Sequence, residues 1–146
     1  MGTGDFTVEA WVYPGSQKNT YNCLLGGTTS GALVINLYGV GTSSQLKLNP
    51  YGSADIASIS YTFTQDTWAH IAVAREGTSL RVFINGVQVG STISNSTNFS
   101  ASSTCIGANN NGAAQTFTGY IDDLRVTKGK ALYTSNFTPI SIANYY

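Results

Sequence analysis

The sequence predicts an all-β protein, a sandwich or barrel of about ten short strands, and three of its features carry that prediction. Apolar and polar residues alternate with a period of two along much of the chain, the pattern of strands with one buried face. Asn85-Gly86 separates two apolar runs, and a type I′ hairpin turn selects that pair because both its central residues need positive φ. Apolar residues at helical spacing are almost absent, so little competes with strands.

The first strand covers residues 6–13. Phe6, Val8, Ala10 and Val12 share one face and Thr7, Glu9, Trp11 and Tyr13 the other, before Pro14-Gly15-Ser16 ends the pattern. Short strands are expected at 24–27, 32–38, 45–48 and 56–63, with Gly39-Val40-Gly41-Thr42-Ser43 joining the second and third of these. The clearest local structure is a three-stranded meander. It runs through 68–75, a turn at Glu76-Gly77-Thr78-Ser79, 80–84, the Asn85-Gly86 turn and a strand from Val87 onward. Residues 94–103 are rich in Ser, Thr and Asn and read as loop or edge. A short strand follows at 104–107, a polar loop at 108–114 and the last long strand at 120–126. Lys128-Gly129-Lys130 turns the chain, and Ala131-Leu132-Tyr133 is expected to form one helical turn. No fixed-period repeat or linker divides the chain, so residues 1–146 are expected to form a single domain.

Composition narrows the function classes. Hydrophobic residues make up 42% of the 146, enough for a core of the chain's own. Charged residues make up only 10%, and seven acids balance seven bases. With no basic stripe, nucleic acid is not an expected partner. No apolar run reaches the ~18 residues of a membrane helix, so no membrane insertion is expected. The polar surface must consist of Ser, Thr, Asn, Gln and Gly, which suits neutral hydrogen bonding to sugars or contacts between subunits. Low net charge also favours self-association. Met1 to Asp5 show neither a basic start nor an apolar h-region. The expectation is an excised domain, or a protein that reaches the outside by another route such as host lysis. Cys23 and Cys105 admit two readings: one bridge, worth about 4 kcal/mol in the chain-entropy model, or two buried free thiols, which is favoured. Two cysteines outside a CxxC pair and one histidine do not make a zinc site.

Four segments in order resemble the laminin-G-like, concanavalin A-like lectin jelly-roll family. They are FTVEAWVYP from Phe6, WAHIAVAR from Trp68, LRVFINGV from Leu80 and GYIDDLRV from Gly119. The tail KALYTSNFTP from Lys130 is similar to the closing segment of many such domains. The resemblance implies a two-sheet antiparallel jelly-roll sandwich with the first strand beside the last long one. It also implies settings such as bacterial surface proteins and phage virion proteins, tail proteins among them, and hence an extracellular or virion-associated location. Function it leaves open, because this fold serves lectins, adhesins, spacers and some glycosidases.

Each candidate site has a plainer alternative. The acids are Asp5, Glu9, Asp55, Asp66, Glu76, Asp122 and Asp123. The Glu-x-Asp-x-x-Glu arrangement of related glucanases is absent, and a lone His70 offers no nucleophile–base pair. The chain is therefore expected not to be an enzyme. His70 is read as a core or half-buried histidine rather than a ligand. By alternation Asp122 shares a face with Leu124 and Val126, whereas Asp123 faces the other way. The resemblance implies a candidate calcium site at Asp122 or Asp123, helped by backbone carbonyls and loop amides. Glu9 and Arg125 are expected to pair across the first and last strands. The ligand-binding candidates are Tyr21, Tyr38 and Tyr51 as aromatic platforms and Asn109, Asn110 and Asn111 as amide donors and acceptors. The alternative is that Asn and Gly merely make tight turns there.

Together these features predict a non-catalytic recognition module for a glycan or cell-surface polysaccharide. The alternative is a structural subunit or decoration domain of a virion, fibre or surface filament.

Overall fold

The computed structural model describes residues 1–41, 44–100, 104–109 and 115–141, with the side chains of 17–19 left aside. Eleven strands make two antiparallel sheets, and no helix occurs among the described residues. They are β1 (Phe6–Pro14), β2 (Gln17–Gly27), β3 (Leu33–Val40), β4 (Gln45–Pro50), β5 (Ala57–Ser60), β6 (Ala69–Glu76), β7 (Ser79–Ile84), β8 (Val87–Gln88), β9 (Ile93–Ser94), β10 (Thr104–Ile106) and β11 (Gly119–Lys128).

The first sheet runs β11-β1-β6-β7-β8, with β9 also paired to β7; the second runs β10-β2-β3-β4-β5. The expected meander is β6-β7-β8. Its turn has the positive φ at both Asn85 (50°) and Gly86 (78°) that a type I′ turn demands. The first strand lies beside the last, as the jelly-roll resemblance implies.

The core lies between the sheets. Phe6, Val8, Ala10 and Val12 of β1 meet Leu33, Ile35 and Leu37 of β3 and Leu46 and Leu48 of β4, all buried. β4 shows why: Leu46, Leu48 and Pro50 are buried, while Gln45, Lys47 and Asn49 point to the opposite face.

Four expectations need correction. β2 begins at Gln17 rather than at residue 24, because its early residues are polar and lack the apolar alternation that marks a strand. β5 is confined to Ala57–Ser60, since the chain leaves the edge of its sheet before Phe63, which is buried in the core instead. Residues 131–133 form no helical turn; their side chains and backbone are tied to the first sheet. Asp122 does not share a face with Leu124. The β1–β11 register shifts between Glu9 and Trp11, so Glu9 faces Arg125 but Trp11 faces Asp122. That bulge, with Asp123 at φ 47°, inserts one residue and reverses the alternation. Ile121 and Leu124 both pack on the core.

A third layer covers the outer face of the first sheet. Residues 130–141 cross it as a strap. Leu132 N donates to Thr7 Oγ1 at 2.8 Å and Thr7 Oγ1 donates to Lys130 O at 3.1 Å. Phe137 N donates to Gly86 O at 2.9 Å, and Trp11 Nε1 donates to Ile140 O at 3.1 Å. Tyr133 and Phe137 stack at 3.6 Å, and with Ala131 they pack on Ala72, Ala74 and Phe83 as a second small apolar cluster. Gly86 has no substitute here, because a Cβ would lie 1.9 Å from Phe137 O.

Beneath the strap, Glu9 is 3% exposed. It accepts from Arg125 Nε at 2.9 Å and from the Tyr133 hydroxyl at 2.6 Å, with His70 Nε2 at 3.3 Å. The expected Glu9–Arg125 pair is thus present, and His70 is a buried histidine serving the fold.

Candidate functional site

With the first sheet covered, the outer face of the second is where polar side chains gather. Tyr21 of β2 stands opposite Tyr38 of β3, and their rings are 4.9 Å apart. Asn36 of β3 stands between Cys23 of β2 and Lys47 of β4. Alternation places all of these on the face away from Ile35, Leu37, Leu46 and Leu48.

Two segments raise walls around this floor. On one side the chain after β4 turns at Tyr51 and Gly52. Tyr51 is held by its own N–H to Ala32 O at 2.7 Å and by Gly31 N–H to its carbonyl at 3.0 Å. On the other side lie Ala108, Asn109 and Gln115. Asn109 Oδ1 accepts from Gly27 N at 3.1 Å, Asn109 Nδ2 donates to Gln115 Oε1 at 2.9 Å, and Cys23 N donates to Gln115 O at 3.1 Å. This wall sits so close to β2 that a Cβ on Gly26 would lie 2.1 Å from Ala108 O.

The result is a cavity of about 250 Å³ lined by Tyr21, Asn36, Asn49, Tyr51, Gly52, Ser53, Asp55, Asn109 and Gln115. Lys47 lies beside two of the lining residues, Asp55 and Tyr21. Its Nζ is 3.2 Å from Asp55 Oδ2 and lies over the rings of Tyr21 (5.6 Å) and Tyr38 (5.2 Å). Burial opposes the Lys47 charge, but the bond to Asp55, the charge of Asp55 and then Tyr21 outweigh it and hold the ammonium above its ordinary value. Asn36 is 3% exposed, and its Oδ1 has no hydrogen-bond donor among the described residues.

The arrangement can offer aromatic surface, amide donors and acceptors and one neutralised ion pair. Among the described lining residues Asp55 is the one carboxylate, whereas a glycosidase uses two. A larger cavity, about 430 Å³, opens between edge strand β5 and residues 90–93, but isoleucine, alanine, serine and glycine line it. Its described lining holds neither an aromatic ring nor a titratable group, and another cavity of about 380 Å³ holds one ring, Tyr61, and one amide, Gln45; the smaller cavity, with two rings and four amides, is the candidate.

Of the predicted binding residues, Tyr21, Tyr51 and Asn109 line the cavity and Tyr38 stands behind Tyr21. Asn110 and Asn111 lie outside the described residues. Sequence reasoning missed Asn36, Lys47, Asn49, Asp55 and Gln115. Alternation within β3 and β4 marks Asn36, Lys47 and Asn49 as outward-facing, but only the strand register brings them together.

Asp122 and Asp123 lie on the other sheet, away from this cavity. Asp122 Oδ1 accepts from Asp123 N at 2.8 Å. Among the described residues no group of three or more His, Cys, Asp or Glu gathers to hold a metal. Calcium takes six to eight oxygens, so these two carboxylates alone do not complete its shell. The thiols of Cys23 and Cys105 are free, as the favoured reading has them, but only Cys23 is buried and Cys105 is half-buried. Burial, and then the nearby Cys105, push the Cys23 thiol up to about 12.

The family model of the concanavalin A-like lectin/glucanases superfamily, a laminin-G type, matches residues 1–133, and the chain belongs to that family. No curated sequence matches it. Among solved structures it is similar to the heptameric SAP-like pentraxin of Limulus polyphemus, at 22% identity and a TM-score of 0.69, over 91% of this chain and 67% of that one. Domain 4 of AbnA, an extracellular GH43 arabinanase of Geobacillus stearothermophilus in complex with arabinotriose, is similar at 20% identity and a TM-score of 0.66. That match covers 90% of this chain and 64% of that one. Mouse laminin α1 domains LG4-5 match at 14% identity and a TM-score of 0.55, over 94% of this chain and 39% of that one. At these identities the likeness is one of fold.

Proposed function

We propose that this domain is a non-catalytic carbohydrate-recognition module that acts outside the cell, on a bacterial surface protein or a phage virion. The observation that carries the reading is the cavity on the second sheet, which joins tyrosine rings to side-chain amides around a floor acceptor without a donor. Sugars are bound by that combination, with apolar ring faces on aromatic surface and hydroxyls on amides. The arabinotriose bound by the AbnA domain supports the same use of the fold. The lone carboxylate of the lining supports binding without cleavage. A glycan array probed with the wild type, Tyr21→Ala and Tyr51→Ala, with and without EDTA, tests this. Saccharide spots that dim in both variants support the proposal, and a flat array counts against it. Loss of signal in EDTA would add calcium to the site.

A second reading is favoured by a separate observation. Ile106 (62% exposed) on β10 and Tyr120 (68%) and Val126 (47%) on β11 leave large apolar side chains in solvent at the ends of the two sheets. Such residues suit contacts between copies or with other subunits of a virion or fibre. Light scattering over a concentration series tests it; Tyr120→Ser should lower the apparent mass if this edge mediates association.

A further inference from the structure

Asn36 sits at the centre of the second sheet, and its Oδ1 is a buried acceptor without a donor among the described residues. Lys47 Nζ bonds Asp55 and lies over two tyrosine rings, and Cys23 N–H goes to Gln115 O. An unsatisfied buried carbonyl oxygen destabilises a fold and calls for an explanation. This one lines the very cavity where a ligand is expected.

The charge around it is equally informative. Lys47 and Asp55 cancel at 3.2 Å, and the described lining residues other than Asp55 are uncharged. An acidic sugar would set its carboxylate beside Asp55 and could win Lys47 only by displacing that partner. A neutral polyol can accept from Lys47 and donate to Asp55 without breaking their charge balance. The volume of about 250 Å³ lies below the usual range for small-molecule sites, so the occupant is of monosaccharide size or the end of a chain.

We infer that the groove selects a neutral saccharide unit and that Asn36 is its specificity-determining residue, accepting one ligand hydroxyl at Oδ1. This rests on the carbohydrate-binding reading and adds the ligand class and the residue that reads it. A site built to bond a hydroxyl discriminates strongly against an analogue that lacks it.

The test is an array carrying neutral glycans (galactose, glucose, mannose, arabinose and fucose) and acidic ones (glucuronate, galacturonate and sialate). Titration calorimetry follows with the best-bound saccharide and each of its monodeoxy derivatives. Neutral glycans should bind. Asn36→Leu should weaken the best of them about tenfold or more, while thermal stability holds or rises because the orphan acceptor is gone. One monodeoxy sugar should lose as much on the wild type and lose nothing further on Asn36→Leu. Equal affinity in Asn36→Leu, or binding confined to acidic glycans, overturns the inference while the carbohydrate reading stands. No binding to any glycan overturns both. If the leucine variant does not fold, the deoxy series on the wild type decides alone, and a series in which every position binds like the parent overturns the inference.

Discussion

The Tyr133 hydroxyl donates a 2.6 Å hydrogen bond to Glu9 Oε2 across 124 residues of chain. It joins the strap to the strand that begins the sandwich. The carboxylate is buried, and a buried carboxylate is tolerated only when its oxygens are paired. Tyr133→Phe removes one of these bonds and keeps the ring stacked on Phe137. A cost of about 1–3 kcal/mol is expected, the usual effect of leaving a buried acceptor short of a donor. The measurements are the urea midpoint at constant slope and hydrogen exchange at the Phe137 amide, which should speed up as the strap loosens.

Glu9 also makes stability depend on pH. Burial disfavours its charge, but the bonds from His70 and Tyr133 and the charge of Arg125 outweigh burial and hold its pKa below the ordinary 4.5. A carboxyl depressed in the folded state contributes stability that is complete above its unfolded value. That contribution is lost as pH falls from near 4.5 through the lower folded value. The wild type should therefore lose stability steeply on acidification below pH 4.5, and Glu9→Gln should flatten that limb while being less stable at neutral pH. Thermal melts from pH 7 to pH 3 check this; parallel curves for the two proteins would contradict it.

Arg75 is a buried cation that no carboxylate pairs among the described residues. Its guanidinium donates to Thr97 O (2.7 Å), Gly4 O (2.8 Å), Gly2 O (2.9 Å) and Asn95 Oδ1 (3.2 Å), between the rings of Phe6 and Phe99. It gathers three stretches of chain at one end of the sandwich. Arg75→Met preserves the length of the side chain but removes four hydrogen bonds, Gly2 O keeping its bond from Phe99 N at 3.1 Å, and should cost about 3 kcal/mol or more. Arg75→Lys restores the charge with fewer donors and no planar fork, so it should fall between the two. Denaturant midpoints rank the three proteins.

How far the chain could be read depends on how local each feature is. The Asn85-Gly86 turn and the alternation of β1 are set by neighbours in sequence, and both are found as expected. The bulge at Asp123 is not local. Nothing in GYIDDLRV marks an inserted residue, so alternation counted straight through it placed Asp122 on the wrong face. Nor is the strap, which forms no ladder and bonds to Thr7, Glu9, Trp11 and Gly86 far back in the chain. The site is intermediate. Tyr21, Tyr51 and Asn109 stood out as residue types, but Asn36 is an unremarkable strand residue until the register sets it beside Lys47.

Gly26 links this packing to the groove. It has no side chain, and a Cβ there would meet Ala108 O at 2.1 Å and Asn109 Cα at 2.8 Å, both backbone atoms that cannot swing aside as a side-chain end can. Gly26→Ala must therefore push the 108–109 segment off β2, breaking the Gly27 N–Asn109 Oδ1 bond and moving the wall that Asn109 and Gln115 form. A loss of about 1–3 kcal/mol of stability is expected from overpacking, together with a loss of about tenfold or more in saccharide affinity. Hydrogen exchange in the strap should be unchanged, since it covers the opposite sheet. Calorimetry, thermal melts and exchange on this one variant separate the groove from the rest of the fold. Unaltered saccharide binding would mean that the wall at Asn109 takes no part in the site.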